Sequence, residues 1–114
     1  MKTLGLNGFS DKANYLVRQA QELAMAGDHE TAVNYLKEVV DMEPKHVAAF
    51  TMLGDCHDCL GQHELAIADY TQALGIDPYH ADAWFNKGMS LKTLGRNEEA
   101  VQCIEKSIEL YCGR

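Results

Sequence analysis

At 114 residues the chain suits one small domain that can bury its own core, so neither a metal nor a cofactor is required to hold it together. With 17 acidic against 10 basic residues its formal charge is -7, which argues against phosphate tracking and therefore against a nucleic-acid partner. No apolar run approaches the roughly 20 residues of a membrane span and no cleavable leader is evident, so the expectation is a cytoplasmic protein with no membrane partner.

Residues 1–12, MKTLGLNGFSDK, read as a flexible leader. Its apolar Leu4, Leu6 and Phe9 are interrupted by Gly5 and Gly8, and Ser10 or Asp11 stands where a cap of the first helix is expected. After it the chain repeats itself. Gly27, Gly61 and Gly95 are spaced by 34, as are Ala32, Ala66 and Ala100, and Glu30, Glu64 and Glu98. Pro44 and Pro78, Phe50 and Trp84, and His46 and His80 keep the same spacing. The repeating part, residues 13–114, therefore divides into units 13–46, 47–80 and 81–114.

Each unit carries the periodicity of two helices. In the second, Phe50, Leu53, Gly54 and His57 form one inward stripe, and Ala66, Tyr70, Ala73 and Leu74 form another. Gly61 can take the positive φ that closes the first helix, and Pro78 ends the second. The small residues Ala20, Gly54 and Gly88 on first helices, facing Ala32, Ala66 and Ala100 on second ones, permit close helix approach.

On these residues the chain resembles the tetratricopeptide repeat family, whose pattern is W-x2-L-G-x2-Y, then A-x3-F, then P. Unit two reads Phe50-x2-Leu53-Gly54-x2-His57, Ala66-x3-Tyr70, Pro78, and unit three reads Trp84-x2-Lys87-Gly88-x2-Leu91, Ala100-x3-Ile104, with Cys112 in the proline's place. Unit one diverges most, with Leu16-x2-Gln19-Ala20-x2-Leu23, Ala32-x3-Leu36 and Pro44. The resemblance implies an all-α fold, a right-handed superhelical solenoid of three antiparallel helix-turn-helix repeats, with the first helices lining a concave groove. It also implies a non-catalytic scaffold that binds a protein or peptide partner, with no cofactor.

The groove-facing stripe of the first helices then comprises Asn14, Val17, Arg18, Gln21 and Met25 in unit one. Unit two adds Ala48, Thr51, Met52, Asp55 and Cys59, and unit three adds Asp82, Phe85, Asn86, Met89 and Thr93. Methionines adapt to irregular apolar partners and amides bond a peptide backbone, so an extended or helical segment is the expected ligand. Asp55 and Asp82 against a single Arg18 favour a basic or neutral one. Family members that hold the acidic C-termini of chaperones use lysines, arginines and asparagines on this face. The matching positions here are Val17, Gln21, Met52, Asp82 and Asn86, none of them a cation, so such a ligand is not expected.

Residues 55 to 63, DCHDCLGQH, resemble a ligand cluster at first sight. A structural zinc site needs two separated ligand pairs, and only Cys56 and Cys59 form one. A redox dithiol is favoured at a helix N-terminus, whereas this pair sits at the other end. Inside the repeat, Cys56 aligns with Glu22 and Ser90, which suggests a partly exposed position, and His57 aligns with Leu23 and Leu91 as a packing residue. His46 and His80 read as solvated connections, and no catalytic constellation stands out, so neither an enzyme nor a metal site is expected. The last second helix carries an apolar stripe of Val101, Ile104 and Ile108, which makes self-association through this C-terminal helix into a homo-oligomer the alternative function.

Overall fold

The computed structural model describes residues 8–113. They form six helices, α1 (Gly8–Met25), α2 (His29–Met42), α3 (Val47–Cys59), α4 (His63–Ile76), α5 (Ala81–Thr93) and α6 (Asn97–Tyr111), and no strand. Consecutive helices pack as the pairs α1/α2, α3/α4 and α5/α6, and each pair stacks on the next into a solenoid 53 × 32 × 20 Å. The chain is thus an all-α helical repeat solenoid.

The turns inside the pairs follow one design. At Gly61 the backbone has φ 77°, a left-handed conformation that costs glycine little. It lets Gln62 N–H reach back to the His57 carbonyl at 2.8 Å and Gly61 N–H to that of Asp58 at 2.9 Å, satisfying acceptors that the helix end leaves open. The same pair of bonds recurs around Gly27 and Gly95. Between pairs, α2 and α4 stop at Met42 and Ile76, two residues before Pro44 and Pro78. Where Cys112 replaces the proline, α6 runs one residue further in the repeat register, to Tyr111.

Two expectations at the helix starts need correction. His46 and His80 are the N-caps of α3 and α5, and their Nδ1 atoms accept from Ala49 N–H at 3.1 Å and Ala83 N–H at 3.4 Å. An imidazole with a free Nδ1 lone pair here does what a serine or aspartate usually does. Residues 8–12, expected within the leader, belong to α1, which begins at Gly8. Asp11 therefore lies in the first turn, where it complements the positive end of the helix dipole. Leu4, Leu6 and the rest of residues 1–7 lie outside the described residues.

The core is a column of small and medium side chains along the helix pairs. Ala20, Leu36, Val39, Ala49, Ala66, Ala73 and Ala83 have no exposed surface, and Tyr70 is almost fully buried. The closeness of α3 and α4 depends on Gly54. A Cβ placed there would meet the Tyr70 ring at 2.5 Å, inside any real contact, and one at Gly88 would meet Ile104 Cγ1 at 2.7 Å. Unit one carries Ala20 at this position and the shorter Leu36 where unit two has Tyr70, so bulk on one helix is offset by bulk removed from the other. Ile104 thus packs half-buried against α5, which removes it from the outward stripe in which it was expected with Val101 and Ile108.

Gly54→Ala is expected to destabilise the fold by about 1–3 kcal/mol in urea unfolding, the usual cost of overpacking. In a double-mutant cycle, Tyr70→Leu should offset part of that loss, reproducing the Ala20/Leu36 pairing of unit one. Strict additivity of the two losses would show that Tyr70 is not the constraint.

Candidate binding groove

The first helices α1, α3 and α5 lie side by side, and the expected groove residues fall along this row with unequal access. Asn14, Arg18, Gln21, Asp55, Cys59, Asp82 and Thr93 are exposed, as are Met25 at 88%, Phe85 at 40% and Met89 at 39%. Val17, Met52 and Asn86 are half-buried. Thr51 departs from the expectation: it is buried and its hydroxyl donates to the Val47 carbonyl at 3.0 Å, one turn back along the same helix. It therefore offers a partner almost nothing.

Asp55 is the polar centre of the row. Its Oδ1 accepts from Tyr70 Oη at 2.5 Å and from Asn86 Nδ2 at 3.3 Å, so one oxygen joins α3 to its own partner helix and to the next repeat. Burial pushes the Asp55 carboxyl above the ordinary carboxylate range, the Tyr70 hydrogen bond opposes this, and Asp58 and Asp82 nearby add to the rise. Tyr70 is shifted upward as well, by burial first and by its bond to Asp55 second. A second tie lies one turn on, where Asp58 Oδ1 bonds His63 Nδ1 at 2.7 Å and Asp58 Oδ2 accepts from Ser90 Oγ at 2.7 Å. Asp82, at the start of α5, accepts from the Tyr111 hydroxyl of α6.

Between α1 and α3 the row opens into a cavity of about 460 Å³ lined by Gln21, Ala24, Met25, Met52, Asp55 and Cys56. The structure thus brings together Gln21, Met25, Met52 and Asp55 from the expected stripe and adds Ala24 and Cys56. Cys56 was missed because its alignment with Glu22 suggested partial exposure, whereas its residue exposure is only 3% and it belongs to the core. The better guide was Ser90, its other counterpart, which is equally buried.

The DCHDCLGQH stretch does not converge on one point. His57 is buried and turns its Nδ1–H to Asp69 Oδ2 at 2.5 Å on α4, His63 bonds Asp58, and Cys59 is exposed. Asp69 is itself shifted upward by its burial, with the His57 contact and Lys37 pulling the other way. Burial, with Asp55 and Cys59 adding to it, pushes the Cys56 thiol up to about 11, so it stays protonated at neutral pH and is a poor nucleophile. Among the described residues, no group of three or more His, Cys, Asp or Glu side chains is placed to hold a metal ion. None of the described helices is long and apolar enough to cross a membrane.

Comparison with known proteins places these observations in a family. A model described as "Tetratricopeptide repeat" matches residues 17–81, more than half of the chain, and a second of the same description matches residues 81–111. Comparison with curated proteins gives no match. Among solved structures, the chain is similar to MamA, with a TM-score of 0.84 and 23% identity over 87% of this chain. It spans only 58% of that protein's length. The second tetratricopeptide domain of Spaghetti (RPAP3), bound to the HSP90 peptide SRMEEVD, gives 0.86 at 20% identity, over 91% of this chain and 98% of that one. The tetratricopeptide domain of Sgt2 from Aspergillus fumigatus gives 0.84 at 20% identity, over 87% and 66%. At these identities the likeness is one of fold.

Brief alkylation of the native protein at neutral pH, read by mass spectrometry, should modify the exposed Cys59 and Cys112 and spare the buried Cys56 and Cys103. All four should react after unfolding. Rapid labelling of native Cys56 would restore the reactive-thiol reading.

Proposed function

The chain belongs to the tetratricopeptide repeat family, and from that premise we propose that it is a non-catalytic interaction scaffold whose groove along α1, α3 and α5 binds a segment of a partner protein. The observation that carries this reading is the cavity between α1 and α3, where Met25 and Met52 stand beside the carboxylate of Asp55 and the amide of Gln21. Adaptable apolar groups with a few polar ones around them suit a polypeptide ligand. The peptide-bound Spaghetti domain supports the reading as a precedent in the fold.

The ligand differs in charge from the one in that precedent. SRMEEVD carries two glutamates and an aspartate against one arginine, whereas this groove presents Asp55 and Asp82 against Arg18 alone, with no cation at Val17, Gln21, Met52 or Asn86. Like charges brought together in a partly desolvated groove repel, so selection runs toward basic or neutral segments. Peptides selected from a random library on the immobilised chain should shift the backbone NMR signals of Gln21, Met52 and Phe85, and SRMEEVD should show no micromolar binding. Shifts confined to α2, α4 and α6, absence of any selected peptide, or tight SRMEEVD capture lost on Asn86→Ala would each overturn the proposal.

A second reading, self-association through α6, is favoured by one comparison within the chain. Val33 and Ile67, one repeat apart, are exposed by 6% and 9% in the seams between repeats, while their counterpart Val101 is exposed by 53%. Leu74 and its counterpart Ile108 differ likewise, 7% against 53%. Each such side chain gains about 1.5–3 kcal/mol when fully buried, so this face has reason to find a cover. Sedimentation over a range of concentrations should then show dimers that Val101→Glu removes. A strict monomer throughout the micromolar range would eliminate the reading.

A further inference from the structure

The two seams along the row of first helices are built from equivalent positions and yet differ in kind. Where α3 meets α5, Asp55 bonds Asn86 and Asp58 bonds Ser90, so two polar ties cross from one repeat to the next. The 34-residue offset carries Asp55, Asp58, Asn86 and Ser90 back onto Gln21, Ala24, Met52 and Cys56, where α1 meets α3. Ala24 has no polar side-chain atom, Met52 has no donor, and no hydrogen bond joins these side chains. Tied at one end, the row is open at the other, and the opening is the cavity already described.

A histidine nearby shows the same difference between the two seams. At the tied seam Asp58 also bonds His63, and one repeat earlier the counterpart of that histidine is His29. Among the described residues its buried Nδ1 has no hydrogen-bond partner, and Ala24 stands at the position of the carboxylate. Ala24 in the register of Asp58 removes one of the two ties and the partner of this imidazole, and Gln21 and Met52 in the registers of Asp55 and Asn86 remove the other tie.

The lining defines the occupant. Ala24, Met25, Met52 and the neutral thiol of Cys56 present apolar or weakly polar surface, and about 460 Å³ falls within the ~300–1,000 Å³ range of small-ligand sites. Asp55 at the rim uses Oδ1 for both of its bonds, to Tyr70 and to Asn86, which leaves Oδ2 to an incoming donor. Asp58 and Asp82 reinforce the negative potential there. Resting on the groove reading above, we propose that this open seam is the specificity subsite: it takes one aliphatic side chain of a partner segment, leucine or methionine in kind, and Asp55 pairs with a lysine or arginine beside it. The tied seam of α3 and α5 contributes surface without a pocket.

The probes are the library-selected peptides, resynthesised and titrated by fluorescence anisotropy against the full chain. Their sequences should be enriched in leucine or methionine next to lysine or arginine. Ala24→Asp, which installs the missing carboxylate and gives His29 a partner, should weaken binding at least about tenfold while leaving the circular dichroism spectrum and Tm intact. Should that variant fail to fold, Met52→Asn, which puts the amide of the tied seam beside Gln21, has to produce the same loss. Asp55→Asn should weaken the basic peptides several-fold and leave versions with glutamine in place of the basic residue unchanged. Peptides that keep full affinity for Ala24→Asp and Met52→Asn but lose it on Met89→Ala would overturn the subsite and leave the groove reading standing. Enrichment of acidic peptides would overturn the role of Asp55. A library that yields no binder would remove the groove reading, and the subsite with it.

Discussion

The structure depends on how closely the two helices of a repeat can approach. At Gly54 the absent side chain lets the Tyr70 ring lie against the backbone of α3, and the ring's position decides where its hydroxyl ends. That hydroxyl meets Asp55, and Asp55 in turn holds Asn86 of the following repeat. One hydrogen atom in place of a methyl group thus positions a tyrosine, a carboxylate and an inter-repeat hydrogen bond in sequence. Units one and three solve the same approach differently, with Ala20 against a region where Leu36 replaces the tyrosine, and with Gly88 against Ile104. Neither has a hydroxyl to extend into the groove, so the polar chain exists once, in the middle repeat.

A repeat architecture makes such differences legible, because every residue has its own internal controls. Stability in a solenoid is approximately the sum of repeat and neighbour terms, so substitutions that change one seam leave the others intact. Two registers show the contrast. Ala24, Asp58 and Lys92 occupy one register and differ in size and charge, while Ala32, Ala66 and Ala100 in another do not vary at all. The invariant register is buried to within 2% in all three units, where packing tolerates only a methyl group. The variable register lies beside the groove, where it can be altered without loss of the fold.

The same contrast explains what the sequence alone conveys. Helices, turns and the helix-pair contacts were readable because glycine φ, proline geometry and small-residue packing are local constraints that recur at a fixed interval, as Gly61, Pro78 and Gly54 illustrate. Cys56 was misjudged because its alignment pits an exposed Glu22 against a buried Ser90, and burial there is set by the preceding repeat, which unit one does not have among the described residues. Histidine capping escaped notice because imidazole is an unusual cap, although His46 and His80 immediately precede α3 and α5. Ala24 could not be picked out at all without knowing that Asp58 reaches Ser90, since an alanine signals nothing by itself.

Electrostatics links the fold to the proposed groove ligand. Although its residue surface is exposed, Asp55 has its charge disfavoured by the protein packed around its carboxyl and by Asp58 and Asp82, an arrangement that a stability argument alone would not select. A group whose carboxyl is raised in the folded state contributes its full stability below the ordinary carboxylate range and loses it as the pH rises through the raised value. At neutral pH the chain therefore carries Asp55 at some expense, and a cation arriving at Oδ2 would relieve it by favouring the ionised form. Because cation pairing and protonation compete for the same oxygen pair, the basic-segment preference proposed for the groove would follow from the same surroundings that disfavour the Asp55 charge.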